Sequence, residues 1–117
     1  MILHIVSRSD WAQAESQSAY VPDSLRHEGF IHLSLPEQVI GTANRFYTGQ
    51  TDLVLLVVDP ASLRHELRLE PPLEAPESDI RFPHLYGVLN LDAVVRVVAF
   101  PPDADGHWSV LPAGIDG

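Results

Sequence analysis

The stretch Glu28-Gly29-Phe30-Ile31-His32-Leu33-Ser34-Leu35-Pro36-Glu37 decides how this chain folds. Gly29 closes a helical turn opened by Pro22-Asp23-Ser24-Leu25, because glycine tolerates the left-handed conformation in which helices commonly end. Phe30 to Leu33 then reads as a strand, apolar but for one histidine. Ser34-Leu35-Pro36-Glu37 has the form of a capping box, with proline in the first turn, where its missing N–H costs nothing. A helix follows: Val39, Ile40, Ala43, Phe46 and Tyr47 recur at helical spacing until Gly49 stops it. The Ser34 hydroxyl is expected to cap this helix, from residue 35 to 47, by accepting from the Glu37 backbone N–H.

Outward from this segment the punctuation stays short. Residues 2–6 alternate as a strand, and Ser7-Arg8-Ser9-Asp10 is a further capping box that opens a short helix through Trp11, Ala12 and Ala14. Asp52 to Asp59 is a strand whose unbroken apolar run implies burial on both faces, and Arg64 to Glu70 alternates as a half-exposed strand. Pro71, Pro72, Pro76 and Pro83, interleaved with Glu74, Glu77 and Asp79, mark residues 71–83 as a loop. Val94 to Phe100 reads as a strand and Trp108 to Leu111 as a short edge strand. Early helices followed by several strands, without regular βαβ alternation, argue for an α+β fold. At 117 residues, with no repeat or linker, residues 1–117 form one domain.

Composition excludes several classes of function. The longest apolar run, Leu53 to Val58, is far short of the ~20 residues of a membrane helix. The first residues carry neither a basic start nor a signal-peptide apolar stretch, so a cytoplasmic location is expected. Without cysteine there are no disulfides, zinc-thiolate sites or cysteine nucleophiles. The net charge of −9, with seven scattered Arg and no Lys, repels phosphate backbones, so nucleic acid is not expected as the main partner. A small anionic ligand held by one or two arginines fits this charge.

Chemistry concentrates on the six histidines. No two stand at the i,i+4 spacing of a helical metal site, so no metal centre is expected. His4 and His32 each interrupt an apolar strand. Strand period places His4 opposite Leu3 and Ile5, and His32 beside Ser34. Singly, each reads best as a core histidine with satisfied hydrogen bonds. Two together shift the balance toward a polar pocket, because burying an imidazole is costly unless its nitrogens find partners. In Phe82-Pro83-His84-Leu85-Tyr86-Gly87, His84 and Tyr86 share a face if the segment is extended, and Gly87 permits a turn or close ligand approach; plain turn chemistry is an equal alternative. There is no Gly-rich phosphate loop, serine nucleophile elbow or paired-carboxylate motif.

His4, Trp11, Tyr20-Val21-Pro22, Ser24-Leu25, Glu28 to Ser34, Gln38-Val39, Ala43-Asn44, Asp52-Leu53, Glu70 and Phe82 to Gly87 resemble the small bacterial proteins of domain-of-unknown-function family 952, over about residues 1–98. That family is grouped by fold with the ADP-ribosyltransferases. The resemblance implies a mixed sheet with short helices and a pocket that binds or cleaves NAD or an ADP-ribose-containing small molecule. It sets His4 against the ribose of NAD and His32, supported by Ser34, where many members have a tyrosine beside the nicotinamide. Glu70 or His84 would complete the catalytic set, and Tyr86 and Gly87 would contact the ligand. A bound nucleotide would lie between Tyr86 and His84 under the loop from Pro71 to Pro83, which would act as a lid. The implied chemistry is scission of the nicotinamide–ribose bond. A second reading is a non-catalytic module that senses a small nucleotide or metabolite. A third, a histidine metalloenzyme, requires His4, His32 and His84 to converge ~2.0–2.1 Å from one ion.

Overall fold

Leu53-Val54-Leu55-Leu56-Val57-Val58 is apolar at every position, and all six residues are buried. A strand with no polar face must be covered on both sides, and this requirement organises the molecule. The computed structural model describes residues 1–115. In chain order the elements are β1 (Ile2–Ser7), α1 (Arg8–Gln17), α2 (Asp23–Glu28), β2 (Ile31–His32), α3 (Val39–Phe46), β3 (Leu53–Val58), β4 (Glu66–Glu70), β5 (Phe82–Tyr86) and β6 (Val94–Ala99).

β3 is the middle strand of a sheet ordered β1-β3-β6, antiparallel throughout. Its odd residues join Leu3 and Ile5 in a core closed by Val39 and Ala43 of α3 and by Phe100, Trp108 and Ile115. Its even residues join Ile2 and Val6 in a second core with Ile31, Leu33, Leu85 and Leu89. The second sheet, ordered β2-β5-β4, is also antiparallel. The two sheets meet where Leu3 and Ser34 exchange backbone hydrogen bonds, Leu3 N–H to Ser34 O and Ser34 N–H to Leu3 O, each 2.8 Å.

The α+β class expected from the sequence is the class observed, with the single mixed sheet replaced by two antiparallel ones. Parallel pairing needs a crossover of a dozen or more residues; β4 and β5 are joined by residues 71–81 alone, and β5 lies antiparallel to both β2 and β4. Ser7 caps α1 as expected, its Oγ accepting from the Asp10 N–H at 3.1 Å. Gly29 ends α2 at φ 86°.

Three expectations are corrected. Ser34 does not cap a helix from residue 35. The helix starts at Val39, and the Gln38 side chain performs the reversed role, its Oε1 accepting from the Leu35 N–H at 2.9 Å. Ser34 is held in the extended bridge to Leu3, an orientation set by sheet pairing rather than by the helix. Trp108 to Leu111 forms no strand. The Asn44 carboxamide instead pairs with the Trp108 backbone, Nδ2 donating to its carbonyl and Oδ1 accepting from its N–H, both at 2.8 Å. Phe82 to Tyr86, in part assigned to the loop, is the central strand of the second sheet.

Candidate functional site

β1 carries His4 into the angle between the sheets. Its ring is 8% exposed, and both nitrogens are engaged: Nδ1–H donates to the His32 carbonyl at 2.6 Å, and Nε2 accepts from the Tyr20 O–H at 2.8 Å. Burial is the main cause that pushes its pKa down to about 4, so the ring is neutral. Burial likewise pushes the Tyr20 hydroxyl upward, keeping it a donor.

β5 carries His84, which is 2% exposed. Pairing with β2 sets His84 opposite His32, with ring centroids 5.4 Å apart edge-on, while Phe30 stacks on the His84 face at 4.1 Å. His84 Nδ1–H donates to Glu70 Oε1 at 3.0 Å, and the Tyr86 O–H donates to the same oxygen. These bonds, that of Tyr86 first, hold the Glu70 carboxyl below the usual carboxylate range. Burial lowers the His84 pKa and the Glu70 hydrogen bond opposes it, with burial prevailing. The result is a neutral imidazole with its tautomer fixed by a carboxylate, and among the described residues no group hydrogen-bonds its Nε2.

His32 lies nearer solvent, and its Nε2 bonds both carboxylate oxygens of Glu28, each at 3.2 Å. Ser34 is buried, and its Oγ makes one long hydrogen bond, 3.5 Å, to Thr42 Oγ1. His4, His32, Ser34 and His84 all line one cleft of about 990 Å³. Its second wall is α3 with the residue that precedes it, through Gln38, Thr42, Arg45 and Phe46, and its rim is Leu73, Glu74 and Ile80 of the proline-rich loop. Gln38 Nε2 donates to the Arg81 carbonyl at 2.6 Å, and Arg45 and Glu74 form an ion pair at 3.7 Å, so α3 and the loop are tied across the cleft. Asp10, Glu28, Glu37 and Glu74 also line it, against Arg45 as the one lysine or arginine among the described lining residues.

Glu70, Tyr86 and Gly87 stand off this wall. Glu70 and Tyr86 reach it through His84. Gly87 serves a close approach of another kind: a Cβ there would lie 2.2 Å from His65 Cγ, so it makes room for a neighbouring side chain. His4, His32 and His84 do not converge as a metal site requires, since both His4 nitrogens face protein partners; among the described residues no three His, Asp or Glu form a metal-holding group. Sequence reasoning missed Glu28 and Arg45. The four-residue spacing of Glu28 and His32 was the available signal for the first; Arg45 looked like any scattered arginine.

The crystal structure of protein CC0527 from Caulobacter crescentus matches with a TM-score of 0.79 and 38% identity, over 91% of this chain and 90% of that one. Its solution NMR structure matches with a TM-score of 0.70 and 37% identity, over 91% and 89%. No curated protein matches the chain. The model of the family described as protein of unknown function, DUF952, matches residues 5–97, and with nearly four-fifths of its length so matched, this chain belongs to the DUF952 family.

Proposed function

We propose that the cleft binds NAD or another small molecule carrying ADP-ribose, and that the Glu70–His84 pair serves cleavage of its N-glycosidic bond. The observation that carries this reading is His84 itself: buried, stacked on Phe30, bonded through Nδ1 to Glu70, and part of the cleft wall. A neutral imidazole oriented by a carboxylate is able to accept a proton.

In the proposed reaction the oxygen of water attacks the ribose C1. The bond from C1 to the nicotinamide nitrogen breaks and its electron pair leaves with the nicotinamide. The water proton passes to His84 Nε2, and Glu70 stabilises the imidazolium that forms. The products are nicotinamide, ADP-ribose and one proton, released when His84 returns to its neutral state. Arg45 is the group suited to the pyrophosphate, since a guanidinium offers paired donors to phosphate oxygens; binding there displaces Glu74 from its 3.7 Å pair. The fold grouping with ADP-ribosyltransferases that the family resemblance implies supports the same ligand class.

The experiment is a thermal-shift screen with NAD, ADP-ribose and nicotinamide, followed by chromatography of nicotinamide released from NAD. NAD or ADP-ribose is expected to raise the melting temperature by mass action. His84→Gln is expected to keep binding and to lose release of nicotinamide by roughly 10²-fold or more. No shift with any of the three compounds overturns the reading. A non-catalytic binding module is the second reading, favoured by Glu70 standing off the wall. Binding without release in the wild-type chain selects it.

A further inference from the structure

The Glu70 oxygen that anchors His84 is shared. Tyr86 stands two residues beyond His84 on β5, and Glu70 faces them from β4, where it pairs with Phe82. Both donors meet on Oε1 of Glu70. The Tyr86 ring is clamped from outside by the Arg68 guanidinium, 4.2 Å from its centroid, and Arg68 is itself paired to Glu66 at 2.9 Å. The chain of contacts therefore runs from an exposed ion pair, through a phenol and a carboxylate, to a buried imidazole in the cleft wall.

We propose that Tyr86 is a positioning residue that keeps His84 a neutral proton acceptor by sharing the Glu70 oxygen on which His84 rests. Two donors on one oxygen divide its charge. The Tyr86 hydroxyl spreads the negative charge of Oε1, so the carboxylate draws less strongly on a proton at His84. The same bond holds the carboxylate in one rotamer at the end of β4. The other charged and titratable groups around His84 are His32 on β2, Glu28 on α2 and Arg68 on β4; His32 disfavours and Glu28 favours a cationic His84. None of these three bonds the Glu70 oxygen that His84 and Tyr86 share. The inference gains its meaning from the reading of His84 as proton acceptor, although the titration that tests it needs no ligand.

The test is an NMR titration of the His84 ring in the full chain. Tyr86→Phe keeps the ring under Arg68 and removes only the hydroxyl. The His84 pKa is expected to rise by roughly half a unit to one unit, because the whole of Oε1 becomes available to it. Glu70→Gln is expected to lower it and to release the fixed Nδ1–H tautomer, read from the ring nitrogen shifts. In a second arm, 3-fluorotyrosine in place of tyrosine makes the hydroxyl a stronger donor and is expected to lower the His84 pKa. An unchanged or lower pKa in Tyr86→Phe, or an unchanged or higher one with fluorotyrosine, overturns the proposal and leaves Tyr86 a packing residue. If the titrations behave as expected and NAD is neither bound nor cleaved, the positioning role stands and the proposed reaction falls. If NAD is cleaved while Tyr86→Phe leaves His84 and the acid limb of the rate profile unmoved, the reaction stands and the positioning role falls.

Discussion

His4 and His84 are both strand histidines withdrawn from solvent, one in each sheet, and they differ in what remains of the ring. In the β1-β3-β6 sheet, His4 has a carbonyl on one nitrogen and a hydroxyl on the other. In the β2-β5-β4 sheet, His84 has a carboxylate on Nδ1 and no partner on Nε2 among the described residues. Their surroundings follow the same division. β3 is buried along its whole length, whereas β4 leaves Leu69 58% exposed. The first sheet has a central strand wholly inside the core, and the second adds Ile31 and Leu85 to that core while its β4 edge stays open to solvent. A buried histidine is therefore a poor guide to function until both of its nitrogens have been followed to their partners.

The largest effect that can break this contrast is a truncation in each sheet. Leu56→Ala in β3, at a fully buried position, is expected to lower stability by about 2–5 kcal/mol in urea unfolding, and Leu69→Ala in β4 by no more than about 0.5 kcal/mol. Equal losses would show that the exposed edge strand β4 is packed as tightly as β3. Acid comes next. Since the His4 pKa falls from 6.5 in the unfolded chain to about 4 in the fold, the unfolded state binds more protons between these values. The contribution of His4 is thus complete above about pH 6.5 and is lost as pH falls, on the order of 3 kcal/mol by about pH 4. His84 acts in the same direction. Unfolding measured across this range should fall less steeply in a His4→Phe chain; an identical slope would deny His4 its closed environment.

Gly87→Ala brings the contrast to the edge of the second sheet. The new methyl group meets His65 close to its backbone, where the side chain has little freedom to yield, and an expected loss of about 1–3 kcal/mol follows from overpacking. His65→Ala in the same chain should recover most of it; no recovery would mean that the glycine is needed for its own backbone. Ser34→Ala is expected to have the smallest effect, below about 0.5 kcal/mol, because its hydroxyl makes one 3.5 Å contact and caps no helix. A loss near the ~1 kcal/mol of a true cap would restore the sequence-based expectation.

Patterns of period two and 3.6 were legible where one strand or helix faces one core. They gave β1, α1 with its Ser7 cap, and β3 with both faces buried, and they set His4 opposite Leu3 and Ile5. β5 was hidden because Pro83 lacks an N–H and reads against a central strand. The fold admits it where β2 has already ended, and its carbonyl still accepts from the Leu33 N–H at 2.9 Å. In the sequence Glu70 and His84 stand fourteen residues apart as alternatives for one role. Strand pairing makes them partners, a relation that no local spacing encodes. Gln38 could not be read as a cap because its donor, Leu35, lies three residues before it, the reverse of the familiar box.

The Asn44–Trp108 pairing has a consequence for how the domain is to be cut. The family-model match ends at residue 97, yet Phe100, Trp108 and Ile115 beyond it are buried. They close the core under Leu3, Leu55 and Val39, and the Asn44 amide fastens their segment to α3 in the manner of a clasp. A fragment trimmed to the boundary of that match would expose an apolar trench along one face of the first sheet, inviting association between chains. The unit that folds therefore extends past the boundary of the family-model match, and fragments, grafts or fusions should carry the clasp as well as residues 5–97.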